Sequence, residues 1–217
     1  MARFEPSVVV ADESPLLRAG LTALLARGGY QVVGDASDGD RLVQAVTDTM
    51  PSLVVTDARL GQVDEGITAA LRVHEKAPEM GIVVLGASIA TTYAAKVFAS
   101  TGTGGLGYLR KSRVGATPHF LDAVGRVASG EVVVDPEVID RMRETARDAD
   151  VFSTLTMREN EALALLASEF PYRAIATSLF TNRRQYELCL GEIFLKLGLP
   201  PNVEHRRPPT PLTHMRS

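Results

Sequence analysis

The chain has 217 residues, enough for two small domains, and a hydrophobic content of 45% that supplies a core for each. Its formal net charge of −3 is uneven: residues 153–217 carry eight Lys/Arg against six Asp/Glu, while residues 1–152 carry fifteen against twenty. A single cysteine, Cys189, excludes an internal disulfide framework, and no stretch reaches the ~18 uninterrupted apolar residues of a membrane helix.

Strand-like runs fall at 7–11, 31–35, 52–56, 81–86 and 105–109, and helix-like stretches lie near 15–27, 39–49, 65–76, 91–100 and 117–129. PLLRAGLTALLARGG shows the i, i+3, i+4 spacing of an amphipathic helix and ends on a Gly pair suited to a cap. Five strand–helix repeats with short connections predict a flavodoxin-like, doubly wound parallel sheet of five strands. Four of the runs end in a telling way. SVVVADE reaches Asp12 and Glu13, SLVVTD reaches Asp57, GLGYLRK reaches Lys111, and GIVVLG stops on Gly86. The carboxyl ends of parallel strands lie along one edge, so three carboxylates and one ammonium converge on a single crevice. Crowded carboxylates repel and favour a hard cation with oxygen ligands, for which Mg²⁺ is the expectation.

Residues 130–152 change character: SGEVVVDPEVIDRMRETARDAD holds a Pro suited to a helix start, then a highly charged stretch, and reads as a linker with one short helix. From residue 153 the periodicity is helical throughout. Thr156 and Glu159 form a capping box that opens a helix reaching about Ser168. Pro171 starts a shorter helix, and Asn182 caps a third that runs to about Leu197 before Gly198, with Gln185 at the reciprocal position. Three helices with a tight turn between the last two predict a small all-α helix-turn-helix domain. In the third helix Tyr186, Leu190, Ile193, Phe194 and Leu197 form the apolar stripe, and Arg183, Arg184, Glu187, Leu188, Gly191, Glu192 and Leu195 lie on the outward face. Arg183 and Arg184 stand at the helix N-terminus, where free N–H groups and the backbone dipole favour phosphate; Lys196 and Arg173 are further candidates for backbone contacts. Cys189 reads as a packed residue, and the four histidines show no metal-ligand spacing. Three prolines in four positions, Pro208, Pro209 and Pro211, exclude a regular helix in the tail.

Taken in order and spacing, VVVADESPLLRAGL, VVTDARL, GYLRK, LTMRENEALALLA and IFLKLGL resemble a NarL/FixJ-type response regulator: a receiver domain followed by a LuxR-type helix-turn-helix. The resemblance implies a receiver at 1–129, the linker at 130–152, and a DNA-binding domain with a Pro-rich tail at 153–217. It implies that Asp57 takes a phosphoryl group from a histidine kinase or small phosphodonor and that Asp12, Glu13 and Asp57 hold Mg²⁺. Lys111 is implied as the phosphoryl contact, and Tyr108 as an aromatic whose rotamer reports phosphorylation. For the output domain it implies double-stranded DNA as partner, with Asn182, Arg183, Arg184, Gln185, Glu187, Leu188 and Lys196 at the interface, a homodimer at least transiently, and no membrane. Two positions depart from the family: Glu13 stands in place of a second Asp, and Gly86 in place of a Ser or Thr whose hydroxyl bonds the phosphoryl group. The opening MARFEPSVVV lacks the layout of a secretory leader, so a cytoplasmic location is expected. An enzymatic role is not expected, because an aspartate-dependent phosphatase needs an acid two residues after the nucleophile and Arg59 stands there. The competing expectation is an atypical receiver that does not switch on phosphate and acts through a protein partner.

Overall fold

The computed structural model describes residues 6–61, 65–87, 104–140, 155–167, 175, 178–180 and 183–196. The elements in chain order are β1 (Ser7–Ala11), α1 (Pro15–Arg27), β2 (Gln31–Ala36), α2 (Gly39–Thr49), β3 (Leu53–Asp57), α3 (Glu65–Lys76), β4 (Gly81–Gly86) and β5 (Leu106–Arg110). A 3₁₀ turn (Lys111–Gly115), α4 (Thr117–Ala128), β6 (Val132–Val134), α5 (Met157–Ala167) and α6 (Arg183–Lys196) follow. The expected helix at 91–100 and most of the one after Pro171 lie outside the described residues, as do Ser168, Leu197 and the tail.

The strands form one parallel sheet in the order β2-β1-β3-β4-β5-β6. The flavodoxin-like order is as expected, but the strand count is six rather than five. The extra strand, Val132–Val134, falls inside the stretch that composition marks as linker. Three residues are too short to show a period among flanking charges, yet all three valines are buried where they pair with Leu106, Gly107 and Tyr108. Asp135 and Pro136 then stop the strand.

The all-apolar strands follow from burial on both faces. Val9, Val54, Ile82, Val84 and Tyr108 face one layer, packed with α2 and α3 residues such as Leu42, Val46, Ile67 and Val73. Their neighbours Val8, Val10, Leu53, Val55, Val83, Leu85 and Leu109 face the other, packed with Leu21 and Leu25 of α1 and Phe120, Val124 and Val127 of α4. Each such side chain contributes roughly 1.5–3 kcal/mol when fully buried.

The helix ends follow local chemistry. The Ser14 hydroxyl accepts from the Leu17 N–H with Pro15 opening α1, and Gly29 takes a φ of +83° just past its end. Asp38 caps α2 by accepting from the Arg41 N–H at 2.9 Å. In the C-terminal part the capping box forms as expected: the Thr156 N–H donates to Glu159 Oε2 at 2.7 Å and the Glu159 N–H to Thr156 Oγ1 at 3.3 Å. Ala162, Leu163, Ile175, Tyr186, Leu190 and Ile193 are buried there, and the rings of Phe180 and Tyr186 lie 5.3 Å apart.

One glycine brings α3 onto the end of β3. A Cβ on Gly66 would lie 1.9 Å from the carbonyl oxygen of Asp57, so only glycine permits this approach. Gly66→Ala is expected to lower stability by about 1–3 kcal/mol despite the better helix propensity of Ala, as read by urea unfolding.

Candidate functional site

The carboxyl ends of three strands supply the site. Asp12 follows β1, Asp57 ends β3, and Lys111 opens the 3₁₀ turn directly after β5. The Lys111 ammonium lies 2.6 Å from Asp57 Oδ2 and 2.7 Å from Asp12 Oδ2, bridging the two carboxylates. Both acids are deeply buried, Asp12 at 1% and Asp57 at 4% exposure. Their remaining oxygens are bonded to the backbone: Asp57 Oδ1 accepts from the Arg59 N–H at 3.2 Å and Asp12 Oδ1 from the Ser14 N–H at 2.9 Å. Arg18 reaches back from α1 to donate to the carbonyls of Asp12, at 2.7 Å, and Glu13, at 3.3 Å, which fixes the loop after β1.

Two negative charges therefore share one positive charge in a poorly solvated place. Burial is the largest influence on Asp57 and raises its pKa; the Lys111 and Arg59 hydrogen bonds pull it down, Asp12 pushes it up, and it stays above the ordinary value. Burial alone would lower Lys111, but its bonds to Asp12 and Asp57 outweigh that and hold its pKa up.

The structure brings Asp12, Asp57 and Lys111 together as the sequence implies. Glu13, the expected third metal ligand, is exposed, and no group of three or more His, Cys, Asp or Glu side chains among the described residues is placed to hold a metal ion. Tyr108 lies fully buried in β5 between Val84 and Val134, three residues before Lys111. Gly86 ends β4 and pairs with Arg110, so the strand between those of Asp57 and Lys111 brings no hydroxyl to the edge; Ser88 lies outside the described residues.

Sequence reasoning did not single out Arg18, Gly66 or the buried Asp135. The signal for Asp135 was present, since VVVDP is another apolar run ending on a carboxylate.

In α6, Gln185, Leu188 and Glu192 are exposed, Leu188 at 46%. Gly191, read as outward, is buried, having no side chain to reach solvent. Asn182 lies outside the described residues, as do the side chains of Arg183, Arg184 and Glu187 and the whole of Arg173. Lys196 donates to both carboxylate oxygens of the buried Glu159, at 2.7 and 2.8 Å. Burial works against the charge on Glu159, but Lys196 and the Thr156 bonds prevail and hold its pKa below the ordinary value. Burial pushes the Cys189 thiol up to about 11, which suits a packed, unreactive side chain.

Residues 8–114 match the response regulator receiver domain. The chain therefore carries a receiver domain of the response regulator family. Oxygen regulatory protein NreC of Staphylococcus aureus (strain bovine RF122 / ET3-1) is 27% identical to this response regulator over 207 residues, covering 91% of this chain and 93% of that one. Two solved structures share the fold. A LuxR-family two-component response regulator from Aurantimonas sp. SI85-9A1 has a TM-score of 0.56 at 24% identity, over 64% of this chain and 96% of its own. The response regulator RcsB, in a complex with DNA, has a TM-score of 0.56 at 22% identity, over 92% of this chain and 95% of its own. A receiver with helices behind it is the NarL/FixJ-type arrangement that the motifs imply.

The shared ammonium makes a stability prediction for this response regulator. Lys111→Met leaves two facing carboxylates in a buried site, and a loss of about 2 kcal/mol is expected at pH 7.5, discounted for the partial exposure of Lys111. Without the ammonium the burial that already raises Asp57 is opposed by less, so this acid titrates higher in the folded than in the unfolded chain. The deficit is therefore present above the ordinary carboxylate range and shrinks as pH falls through it, which urea unfolding at pH 7.5 and pH 5 measures.

Proposed function

We propose that Asp57 accepts a phosphoryl group from a sensor histidine kinase or a small phosphodonor, and that this controls transcription through binding of double-stranded DNA by the C-terminal helices. The observation that carries the first half is the Lys111 ammonium held 2.6 Å from Asp57 and 2.7 Å from Asp12 across separate strands. A carboxylate oxygen of Asp57 forms the new P–O bond while the bond from phosphorus to the donor's leaving group breaks. Lys111 follows the transferred group as a point charge and offsets the charge it brings into the site. Asp12 and Asp57 are the residues that would hold Mg²⁺, a hard cation suited to two facing carboxylates, with the exposed Glu13 outside the pair. Bound there, it would screen the attacking carboxylate from the phosphoryl oxygens.

In this reading the protein is a regulator and not an enzyme, since Arg59 stands two residues after Asp57 where a phosphatase needs an acid. The receiver extends past residue 129 to take in Val132–Val134, the linker follows, and the output domain begins near residue 153. Arg183 and Arg184 supply phosphate contacts at the start of α6, beside Asn182, Gln185, Glu187 and Leu188. Lys196, engaged by Glu159, contributes to holding α6 in place more than to DNA. The protein works in the cytoplasm and dimerises at least transiently.

Acetyl phosphate with Mg²⁺ is expected to label the wild type and not Asp57→Ala, read by mass shift on the intact protein; equal labelling would sink the phosphoacceptor reading. In a DNA titration across salt, Arg183→Ala/Arg184→Ala is expected to bind more weakly and to flatten the slope of log K against log salt by about 0.9 for each phosphate left without its arginine. A wild type that binds no better than this double variant would favour the protein-partner reading, to which the exposed Leu188 is suited.

A further inference from the structure

We propose that Asp135 is a positioning residue for Lys111, and that it fastens the chain leaving the receiver to the segment that carries Lys111 and Tyr108. The proposal rests on the phosphoacceptor reading for its consequence, though not for its geometry.

Asp135 directly follows β6 and precedes the short helical stretch 136–140. Its side chain is as deeply buried as that of Asp12, at 1% exposure. A carboxylate so placed keeps its charge only when its oxygens are well bonded. Oδ2 accepts from the Arg110 N–H at 3.3 Å and from Arg113 Nε at 3.1 Å. Oδ1 accepts from the Glu137 N–H at 3.1 Å and from Arg113 Nη2 at 3.5 Å. The Asp135 N–H in turn donates to the carbonyl of Tyr108 at 2.9 Å. The guanidinium of Arg110 pairs with Glu137, adding another bond between the same two segments.

Helix capping explains only one of these bonds. An N-cap needs its oxygen on an N–H of the first turn, which the Glu137 bond provides. The others cross to the end of β5 and to the 3₁₀ turn. They hold Arg110 and Arg113, which lie on either side of Lys111 in the chain, and the backbone of Tyr108 three residues before it. Lys111 therefore extends its ammonium to Asp12 and Asp57 from a peptide segment anchored at both ends to residues 135–137.

The bonds also define a mechanical route. Gly86 brings no hydroxyl to the end of β4, so that strand has no side-chain bond to offer a phosphoryl group on Asp57. Lys111 contacts Asp57, its flanking residues contact Asp135 and Glu137, and the chain runs on into the fully buried Val138 and Ile139. A shift of Lys111 toward a phosphoryl group acts on residues 135–140 without passing through β4.

The experiment compares wild type, Asp135→Asn and Asp135→Ala in two measurements: the rate of Asp57 labelling by acetyl phosphate with Mg²⁺, and hydrogen–deuterium exchange of the unlabelled proteins. Labelling at saturating acetyl phosphate is expected to fall about tenfold in Asp135→Ala and about threefold in Asp135→Asn, which keeps the shape and part of the bonding. Exchange is expected to quicken in peptides spanning 106–115 and 135–140, with 7–11 and 53–57 unchanged. Labelling at the wild-type rate in both variants, or faster exchange spread evenly over all strands, would overturn the proposal. If Asp135→Ala fails to fold, the nearly isosteric Asp135→Asn decides on the same two readouts. A wild type that takes no label at Asp57 refutes the phosphoacceptor reading instead, and the local exchange pattern then decides alone whether Asp135 holds the Lys111 segment.

Discussion

A single ammonium shared by two buried carboxylates sets the terms for the rest of this receiver. Asp12 and Asp57 reach the same edge because β1 and β3 are adjacent and parallel, so that Ala11 lies opposite Thr56. Parallel strands that run apolar to their last residues drive this edge together through burial alone, and burial is also what makes the carboxylates costly. Lys111 resolves the conflict by bonding to both. Its own placement depends on β5 lying beside β4 and on the turn that follows. Fold and chemistry are thus one arrangement: the hydrophobic strands create the low-dielectric crevice, and the charges that survive there are those paired with one another.

The C-terminal helices use the same device on a smaller scale. Glu159 is buried beneath the start of α5, where the Thr156 N–H and the Lys196 ammonium both bond it. Because its pKa is lowered on folding, its contribution is present above the ordinary range of a glutamate and is lost as pH falls through the lowered value. The bond ties the last turn of α6 to the first turn of α5 and engages the partly exposed Lys196 in an ion pair. What α6 then presents among the described side chains is Gln185, Leu188 and Glu192, a face with little positive charge.

Much of this was legible because burial leaves a strong imprint on sequence. The runs SVVVA, LVVTD, GIVVLG and LGYLR gave their strands to within a residue, and the Thr156–Glu159 capping box marked the start of α5. The acids and the lysine at strand ends followed from parallel topology. The missed features are of other kinds. β6 is shorter than any periodic signal, and its valines are intelligible only once the open flank of β5 is in place. Arg18 and Gly66 act through backbone carbonyls, the one as donor and the other by making room, and nothing in composition distinguishes such positions. Glu13 differs again: it is adjacent to Asp12 in the sequence, but the chain turns at this point and leaves its side chain exposed.

The brevity of β6 has a consequence for the protein in a crowded solution. An open sheet flank offers a row of unpaired N–H and C=O groups on which another copy can add a strand. Here the flank is three residues long and is followed by Asp135, whose side chain is turned inward, and by Pro136, which lacks an N–H. A template so short cannot seed edge-to-edge growth from this flank, which leaves the six-residue β2 as the longer open edge of the sheet.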